Sequence, residues 1–355
     1  MVAGSSISFP QPGRWVKGNA IGAGSFGIVN LAMNTSTGEL FVVKSSSSET
    51  QLRALENEAN LLKDLDSPHI VQCFGHEYSI EANGDRKLDL FMEYMAGGSL
   101  SDVAEKIGNV LDESVIRLYV RQILLGLDYL HRNGIVHCDL KCKNVLLGST
   151  GNIKLADFGS AKRKGSSETD HKAGICWQSI CGTPLWMAPE VLRSEGLDYA
   201  SDIWSLGCTI MEMVTGRPPW ELDISNPMAA VFKIAFGNEL PQFPTKLSKE
   251  GLDFLDKCLQ RDPKHRYSSQ DLLNHPFVTG RNLNKEVAGS PSSVLDVESC
   301  VSDDESDELD SGKNNSPSRV PFSTRYCAKR QKLTRRNLRQ PKDCDLDNWI
   351  TVRSG

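Results

Sequence analysis

The sequence predicts an α+β fold with two lobes, a small antiparallel β lobe that carries one helix and a larger, mainly helical lobe. Three observations predict it. Strand-type segments broken by glycines fill the first part of the chain. One segment with helical apolar spacing lies among these strands. Several longer helical segments then follow one another towards residue 277.

The small lobe is predicted from three strand segments and one helix. Residues 20–32 and 40–43 are rich in β-type residues, and the polar residues 34–38 form the turn between them. Residues 51–65 carry leucines at helical spacing, and residues 88–93 are typical of a buried strand. These elements suffice for a sheet covered by one helix.

The large lobe is predicted from its helices, of which residues 115–130 form the clearest. The apolar face of that helix is expected to consist of Val115, Tyr119, Gln122 or Ile123, Leu127 and Leu130. Further helices are expected from Asp202, Met228 and Gly251 onward.

Composition divides the chain into three parts. Residues 1–13 are expected to be a flexible leader, and residues 14–278 a folded domain, with its small lobe at about 14–94 and its large lobe at about 95–278. Residues 279–355 are polar and charged, so they bury too little apolar surface to offset the entropy of ordering. They are predicted to be a mostly disordered tail.

Charge and cysteine content exclude several classes of protein. The chain has 355 residues and a formal net charge of −5, so we expect no nucleic-acid partner. Its start lacks a signal-peptide pattern, and no apolar run approaches the roughly 20 residues of a membrane helix, so we expect no membrane attachment. The 10 cysteines include no CxxC pair, which indicates thiols in a reducing compartment and a cytoplasmic protein.

The first motif with chemical content is a glycine-rich segment. Glycines allow the backbone to approach phosphates closely, and a hairpin of this kind can fold over a nucleotide. The motif consists of Gly22, Ala23, Gly24, Ser25, Phe26, Gly27, Ile28 and Val29. A dinucleotide fingerprint would need a helix after the third glycine, but a strand segment follows here. A tight hairpin without ligand remains an alternative.

The second motif is Lys44, which closes an apolar strand. A lysine that holds nucleotide phosphates needs a carboxylate to orient it, and Glu58 on the following helix supplies one. Glu56 is the rival partner, but Glu58 lies one turn before Leu62 on the apolar face. A surface lysine with a buried stem is the alternative interpretation.

Two further segments decide the chemistry. In the first, Asp139 can accept the proton of a hydroxyl and Lys141 can neutralise charge on a transferred phosphoryl group. Asn144 in that segment and Asp157 in the second offer oxygen ligands that suit Mg²⁺. Phe158 is expected to pack and fix Asp157. Either segment alone could be a strand and a turn, but together they predict phosphoryl transfer.

Three charged residues are expected to hold the large lobe together. Glu190 is a candidate for a buried acid, and Arg266 is its expected partner because a buried carboxylate needs one. Asp202 opens an apolar helix and is expected to bind the backbone of the loop around Asp139. It could also act as a simple helix N-cap.

The chain carries, in this order, the motifs GxGxxGxV, VK, HxDLKxxN, DFG and APE. This set resembles the eukaryotic protein kinase family over about residues 15–277. DLKxxN resembles Ser/Thr kinases. The segments GTPLWMAPEV and HCDLKCKNVLLG resemble plant MAP kinase kinase kinases of the MEKK-like group, nearest to those numbered 17 and 18. The resemblance implies the bilobal protein kinase fold, ATP and Mg²⁺ as cofactors, and a MAP kinase kinase as substrate. It also implies a role in stress or abscisic acid signalling.

The resemblance also implies where the adenine binds. Met92 would be the residue at the back of the cleft, and the backbone of Glu93 and Met95 would bond the base. The apolar residues that would sandwich the base are Ile21, Val29, Val42 and Leu146. Each of these residues could instead be simple core.

One position departs from the family pattern. The family has Arg before the catalytic Asp, where it pairs with a phosphorylated residue of the activation segment, whereas this chain has Cys138. We therefore expect activity to depend less on phosphorylation of that segment. The segment carries Ser166, Ser167, Thr169, Ser179 and Thr183. Thr183 is expected either to bond Asp139 and Lys141 or to be phosphorylated.

The tail offers two further candidates. The basic cluster from Lys329 to Arg339 is either a nuclear-localisation signal or a solvated charge run. Trp349 and Ile350 are a candidate docking or autoinhibitory element, which implies a regulatory partner for the tail.

Two other functions compete with protein phosphorylation. A scaffold could use this fold without chemistry, but the chain keeps Lys44, Asp139 and Asp157. A kinase acting on metabolites is disfavoured by the segment from Gly182 to Glu190, which resembles a peptide-binding ledge.

Overall fold

A computed structural model of the chain describes residues 13–24, 26–82, 84–108, 111–164, 182–220, 227–280 and 350–351. Contacts divide the chain into two compact units, one of Met1–Leu283 with Asp347–Gly355 and one of Asn284–Leu346. All described residues belong to the first unit. The predicted acidic and basic runs of the tail and Trp349 lie outside the described residues, so their roles stay predictions.

The small lobe is an antiparallel sheet with one helix, as the sequence predicted, and the sheet has six strands where three strand segments were expected. Its strands are β1 (Trp15–Gly24), β2 (Gly27–Asn34), β3 (Leu40–Ser46), β4 (Cys73–Ile80), β5 (Arg86–Glu93) and β11 (Ile350–Thr351), and its helix is α1 (Glu49–Leu62). The order in the sheet is β11-β1-β2-β3-β5-β4. Strand β4 was not predicted, because as an edge strand it is half-exposed and lacks a clear apolar alternation.

Strand alternation divides β3 between two faces of the sheet. Phe41 and Val43 pack with Trp15 and Phe91 in one buried cluster. Val42, between them, belongs to the main core on the other face. Because Lys44 is two residues after Val42, it shares that face, on which the cleft opens.

The large lobe is mainly helical. Its helices are α2 (Leu100–Lys106), α3 (Glu113–Arg132), α4 (Pro189–Leu192), α5 (Tyr199–Thr215), α6 (Pro227–Phe236), α7 (Lys249–Cys258), α8 (Ser269–Leu273) and α9 (Pro276–Thr279). Among the helices of the described ranges, none is at once long and apolar enough to cross a bilayer.

Two predictions for these helices are corrected. Of the predicted face of α3, Ile123, Leu127 and Leu130 are buried as expected, whereas Val115 and Tyr119 are only half-buried. In the first turns the buried residues are instead Ile116 and Val120, because apolar residues occur on both sides of the predicted face there. The predicted N-cap role of Asp202 is wrong, because α5 begins at Tyr199 and its capping residue is Asp198.

Short strands position the loops below the small lobe. The strands of the large lobe are β6 (Gly98–Ser99), β7 (Ile135–Val136), β8 (Val145–Leu147), β9 (Ile153–Leu155) and β10 (Lys162–Arg163). Strand β7 pairs with β10, and β8 lies between β6 and β9. The loop with Asp139 runs from β7 to β8, and the loop with Asp157 runs from β9 to β10. Both predicted segments therefore lie in loops that connect these two small sheets.

Candidate functional site

A buried lysine lies between two carboxylates at the back of the cleft. Lys44 Nζ is 2.6 Å from Glu58 Oε2 and 2.7 Å from Asp157 Oδ1. Burial disfavours the charged form of Lys44, but the charges of Glu58 and then Asp157 outweigh it and raise its pKa. The two carboxylates therefore stabilise the charged form of Lys44. The rival residue Glu56 instead contacts Tyr78 at the surface, at 3.2 Å.

Glu58 also fixes the segment that carries Asp157. The backbone N–H of Phe158 donates to Glu58 Oε1 at 3.1 Å. The Phe158 ring is fully buried and lies 5.0 Å from the ring of His137. One carboxylate thus orients both Lys44 and the backbone beside Asp157.

Asn57 supports the same segment, and sequence reasoning missed it. Its side-chain amide donates to the carbonyl of Ala161 at 2.9 Å and to that of Phe158 at 3.3 Å. No sequence signal distinguishes Asn57 from any other polar residue of a helix, because its partners lie about a hundred positions away.

A second cluster lies around Asp139. Lys141 Nζ donates to Asp139 Oδ2 at 2.8 Å, and Thr183 Oγ1 donates to Asp139 Oδ1 at 2.7 Å. Lys141 also donates to the Thr183 hydroxyl. Both oxygens of Asp139 are therefore oriented, and the residue is buried to 5% exposure. This arrangement suits a group that receives a proton from a hydroxyl held nearby.

Asn144 completes this cluster. Its Nδ2 donates to the carbonyl of Asp139 at 2.8 Å and to Asp139 Oδ2 at 3.0 Å. These bonds use the amide nitrogen, which leaves the amide oxygen as the atom suited to a cation.

Asp202 holds the loop that presents Asp139. Its carboxylate accepts from the backbone N–H of His137 at 2.9 Å and of Cys138 at 3.0 Å, and it contacts His131 Nε2 at 2.9 Å. Burial alone would raise the pKa of Asp202, but the hydrogen bond and charge of His131 lower it below its usual range. The predicted contact of Asp202 with this loop is confirmed. Cys138 itself has a left-handed φ of 68°.

The cleft between the lobes has a volume of about 320 Å³ and contains most of the predicted cofactor-binding residues. The predicted residues that line it are Ile21, Gly22, Ala23, Gly24, Phe26, Gly27, Val29, Val42, Lys44, Glu58, Met92, Glu93, Met95, Asn144, Leu146 and Asp157. Ser25 lies outside the described residues. Ile28 does not line the cleft and is 52% exposed, because alternation along β2 turns it away from Gly27 and Val29.

Several lining residues were not predicted. They are Val71, Tyr94, Gly98, Ser99, Asp102, Lys143 and Ala156. Lys143 and Ala156 each stand next in sequence to a predicted site residue, Asn144 and Asp157. That adjacency was the signal by which they could have been found. The Phe26 ring also lies in the cleft, with Lys44 Nζ 5.6 Å from its centroid.

An adjoining pocket of about 120 Å³ joins the two clusters. Asp139, Lys141, Asn144, Asp157 and Thr183 all line it. The structure therefore brings the predicted proton acceptor and both predicted metal ligands to one small space at the end of the cleft.

A buried ion pair holds the ledge beside this pocket, as the sequence predicted. The guanidinium of Arg266 donates to both oxygens of Glu190, at 2.6 and 2.7 Å. Glu212, which the sequence did not indicate, accepts from the indole of Trp186 at 3.0 Å and from the backbone of Cys142 at 3.1 Å. Burial raises the pKa of Glu212.

A two-lobed fold whose cleft joins a paired lysine to an oriented aspartate defines a protein kinase. The family model described as "Protein kinase domain" matches residues 15–278. The chain belongs to the protein kinase family.

Within that family, several mitogen-activated protein kinase kinase kinases are similar to this chain. The chain is 42% identical to number 2 of Arabidopsis thaliana over 306 residues, which are 83% of this chain and 45% of that protein. It is 40% identical to number 17 and to number 18 of the same plant. Those matches span 80% and 82% of this chain, and 76% and 88% of the two relatives.

These matches confirm the resemblance to plant MAP kinase kinase kinases. The identities of 40% and 42% do not single out numbers 17 and 18. The chain spans less than half the length of number 2.

The protein kinase family uses ATP with a divalent metal, generally Mg²⁺, and the cleft fits both. Glycines and apolar side chains surround the outer part of the cleft, and the charged side chain of Lys44 lies at its inner end. Mg²⁺ is usually bound by one or two carboxylates together with phosphate oxygens. The described residues contain no group of three His, Cys, Asp or Glu that could hold a metal ion.

Proposed function

We propose that this chain is a Ser/Thr protein kinase, a MAP kinase kinase kinase that transfers the γ-phosphate of ATP to hydroxyls of a MAP kinase kinase. The observation that carries the proposal is the small pocket in which Asp139, Lys141 and Thr183 face Asn144 and Asp157. It joins a group suited to receive a hydroxyl proton to two oxygen ligands for a cation.

The residues around the pocket divide the work of the reaction. Asp139 orients the accepting hydroxyl and takes its proton, while Lys141, bonded to Asp139, neutralises charge on the transferred group. Asn144 and Asp157 hold Mg²⁺, which neutralises phosphate charge. Lys44, oriented by Glu58, holds the α- and β-phosphates. The glycine-rich segment, without Ile28, covers the phosphates.

The outer cleft binds the base. Met92 forms its back wall, and the backbone groups of Glu93 and Met95 bond the adenine. The apolar side chains above and below the base are Ile21, Val29, Val42 and Leu146. Glu93 is held in place by its own side chain, which accepts from Lys154 at 2.6 Å and from the backbone of Gln72 at 2.6 Å.

The substrate follows from the names of the relatives and the sequence resemblance. A MAP kinase kinase is the protein on which a MAP kinase kinase kinase acts, as that name says. The role in stress or abscisic acid signalling is proposed from the sequence resemblance alone. We place the protein in the cytoplasm, and in the nucleus if the basic cluster Lys329–Arg339 is recognised there. Those residues lie outside the described part of the chain.

The proposal is tested with radiolabelled ATP, a generic protein substrate and a catalytically inactive MAP kinase kinase. Wild type should label both proteins, whereas Lys44→Met and Asp139→Asn should lose most of the incorporation. Equal incorporation by all three would overturn the assignment, because the labelling would then depend on neither Lys44 nor Asp139. No incorporation by wild type would favour a scaffold that uses the fold without chemistry.

A further inference from the structure

One strand of the small-lobe sheet comes from the tail. Strand β11 pairs antiparallel with β1 at the outer edge of the sheet, where Val16 lies opposite Thr351 and Lys17 lies opposite Ile350. The other neighbour of β1 is β2, so β1 without β11 would be an edge strand. The backbone groups of an edge strand are a template for a further strand. The tail therefore occupies the position at which an added strand would bind on this side.

The residue types of the tail around β11 suit a strand. Trp349, Ile350, Thr351 and Val352 are aromatic or β-branched, which are the types enriched in strands. The tail before them is instead dominated by polar and charged residues. A peptide that adds a strand to a sheet edge binds through its backbone hydrogen bonds, and alternate side chains add specificity. Within the tail, residues 349–352 fit this binding mode.

The pairing with β11 lies directly before the glycine-rich segment. The register of β1 against β2 shifts between Lys17 and Ala20 and again between Ala20 and Gly22. Such irregularities leave residues unpaired and disrupt the ladder locally. Beyond them, Gly22, Ala23 and Gly24 line the cleft. Strand β1 is therefore held by β11 on one side of an irregular stretch and enters the cleft on the other side.

The residue opposite Ile350 is also bonded to the middle of the sheet. Lys17 Nζ donates to Ser45 Oγ at 2.8 Å, and the Ser45 hydroxyl donates to Asp89. Ser45 follows Lys44 on β3, and β2 lies between β1 and β3 in the sheet. The position of β1 at the pairing with β11 is therefore linked to the strand that carries Lys44.

We propose that the tail docks on the small lobe of its own chain, by adding residues 350–351 as a strand to the edge of β1, and that this docking steadies the glycine-rich segment over the nucleotide. The second part rests on the proposed function, because it concerns the ATP cleft. The pairing is intramolecular, so a high effective concentration compensates for the short length of β11. A strand this short from a second copy of the chain would lack that effect, which favours the chain's own tail as the occupant.

The docking is tested with pairs of introduced cysteines in the full chain. Val16→Cys with Thr351→Cys joins opposite residues, and Val16→Cys with Ile350→Cys is the matched control. Opposite residues of a ladder are close neighbours, whereas a shift by one residue places the two side chains on opposite faces of the sheet. After mild oxidation we expect the linked peptides in the first variant, within monomers, and not in the control. Mass spectrometry of the digested protein measures this.

The cross-linking result does not depend on kinase activity. Equal yields in both variants, or no link in the first, would refute the pairing of β11 with β1. A link between two molecules would assign the strand to a second copy of the chain and overturn docking within one chain.

The effect on the cleft is tested by combining Ile350→Pro with Thr351→Pro. Proline cannot donate to a ladder, so the added strand should be lost. Asn314→Pro with Asn315→Pro is the matched control, because these residues belong to the other compact unit, Asn284–Leu346. We expect the dissociation constant of ATP with Mg²⁺, measured by calorimetry, to rise about threefold in the first variant, because a loosened glycine-rich segment must be ordered on binding. The control should bind ATP as wild type does.

The other results of the binding measurement contradict the proposal. An unchanged dissociation constant in the first variant would overturn the steadying of the glycine-rich segment, even if the cysteine pair is linked. Tighter ATP binding would show that the docked strand opposes nucleotide binding and would refute the same part. If wild type binds no ATP, the proposed function and the steadying both fail, while the cross-link still decides whether the tail docks.

Discussion

Thr183 donates its hydroxyl hydrogen to Asp139 Oδ1 at 2.7 Å and accepts a hydrogen bond from Lys141. The sequence left two roles open for Thr183, a contact with these residues or phosphorylation. The contact is formed, so Thr183 helps to hold the orientation of the aspartate. A phosphate on Thr183 would place negative charge against Asp139.

Substitutions at Thr183 should separate these roles. Thr183→Ala should lower kcat about 10- to 100-fold, because the orientation of Asp139 is lost. Thr183→Ser keeps the hydroxyl and should retain most of the activity. Thr183→Glu should be as poor as Thr183→Ala. Steady-state kinetics on a fixed protein substrate measures all three, and an active Thr183→Glu would instead support phosphorylation.

The pairing of Lys44 with Glu58 predicts a difference between two nearby acids. Glu58→Gln should lower kcat/KM for ATP about tenfold or more, corresponding to about 1.4 kcal/mol, because Lys44 and the Phe158 backbone both lose an oriented carboxylate. Glu56→Gln is the matched control, since Glu56 contacts only surface groups among the described residues. Similar losses in both variants would contradict the assignment of Glu58.

Removing one partner of the buried Glu190–Arg266 pair should lower the stability of the protein strongly. Glu190→Gln leaves Arg266 buried without a carboxylate and should cost about 3–5 kcal/mol of unfolding free energy. Urea unfolding at neutral pH measures this. The exposed pair Arg53–Glu49 is the control, and Arg53→Gln should cost less than about 1 kcal/mol. Equal costs at both pairs would refute the argument from burial.

Asp202 predicts a pH-dependent contribution to stability. Its pKa is lowered in the folded state, so it contributes stability above its unfolded pKa of about 3.9 and loses it as pH falls through the folded value. Asp202→Asn should therefore cost about 2–3 kcal/mol at pH 7, because bonds to a charged acceptor are lost. The difference from wild type should shrink below about pH 4.

The control for this prediction is Asp198→Asn, one turn earlier on α5. Asn caps helices as well as Asp, so the change should stay within about 0.5 kcal/mol at either pH. Denaturant unfolding at pH 7 and at about pH 3 provides the comparison, because the contribution of Asp202 is lost only below about pH 4. A gap between wild type and Asp202→Asn that widens in acid would contradict the lowered pKa.

Because position 138 is Cys and not Arg, we expect phosphorylation of the activation segment to control the kinase activity only weakly. The backbone of Cys138 is held by Asp202, but its side chain lacks the cation that would bind a phosphorylated residue. Phosphatase-treated protein should therefore keep most of its activity. Ser166, Ser167, Thr169 and Ser179 lie outside the described residues, so only the measurement bears on them. A near-total loss of activity after treatment would refute the hypothesis.

Local patterns in the sequence predicted much of the fold and of the site. The glycine-rich segment, the apolar strand that ends in Lys44 and the helix with Glu58 each have a short-range signature, because periodicity and motif spacing act within a few residues. Strand β4 and the exact face of α3 were missed or rotated. The exposure of an edge strand and the packing of the helix against its neighbours decide these two features, and local residue spacing does not.

The sequence by itself therefore determined the two-lobed class, the identity of the acids and lysines, and the choice of Glu58 over Glu56. Only the tertiary structure decided that Asp202 binds the loop instead of capping its helix, that Asn57 supports Phe158, and that Ile28 faces away from the cleft. The physical reason is that hydrogen bonds between distant segments depend on how the elements pack. Packing fixes distances between residues that the order of the chain leaves unconstrained.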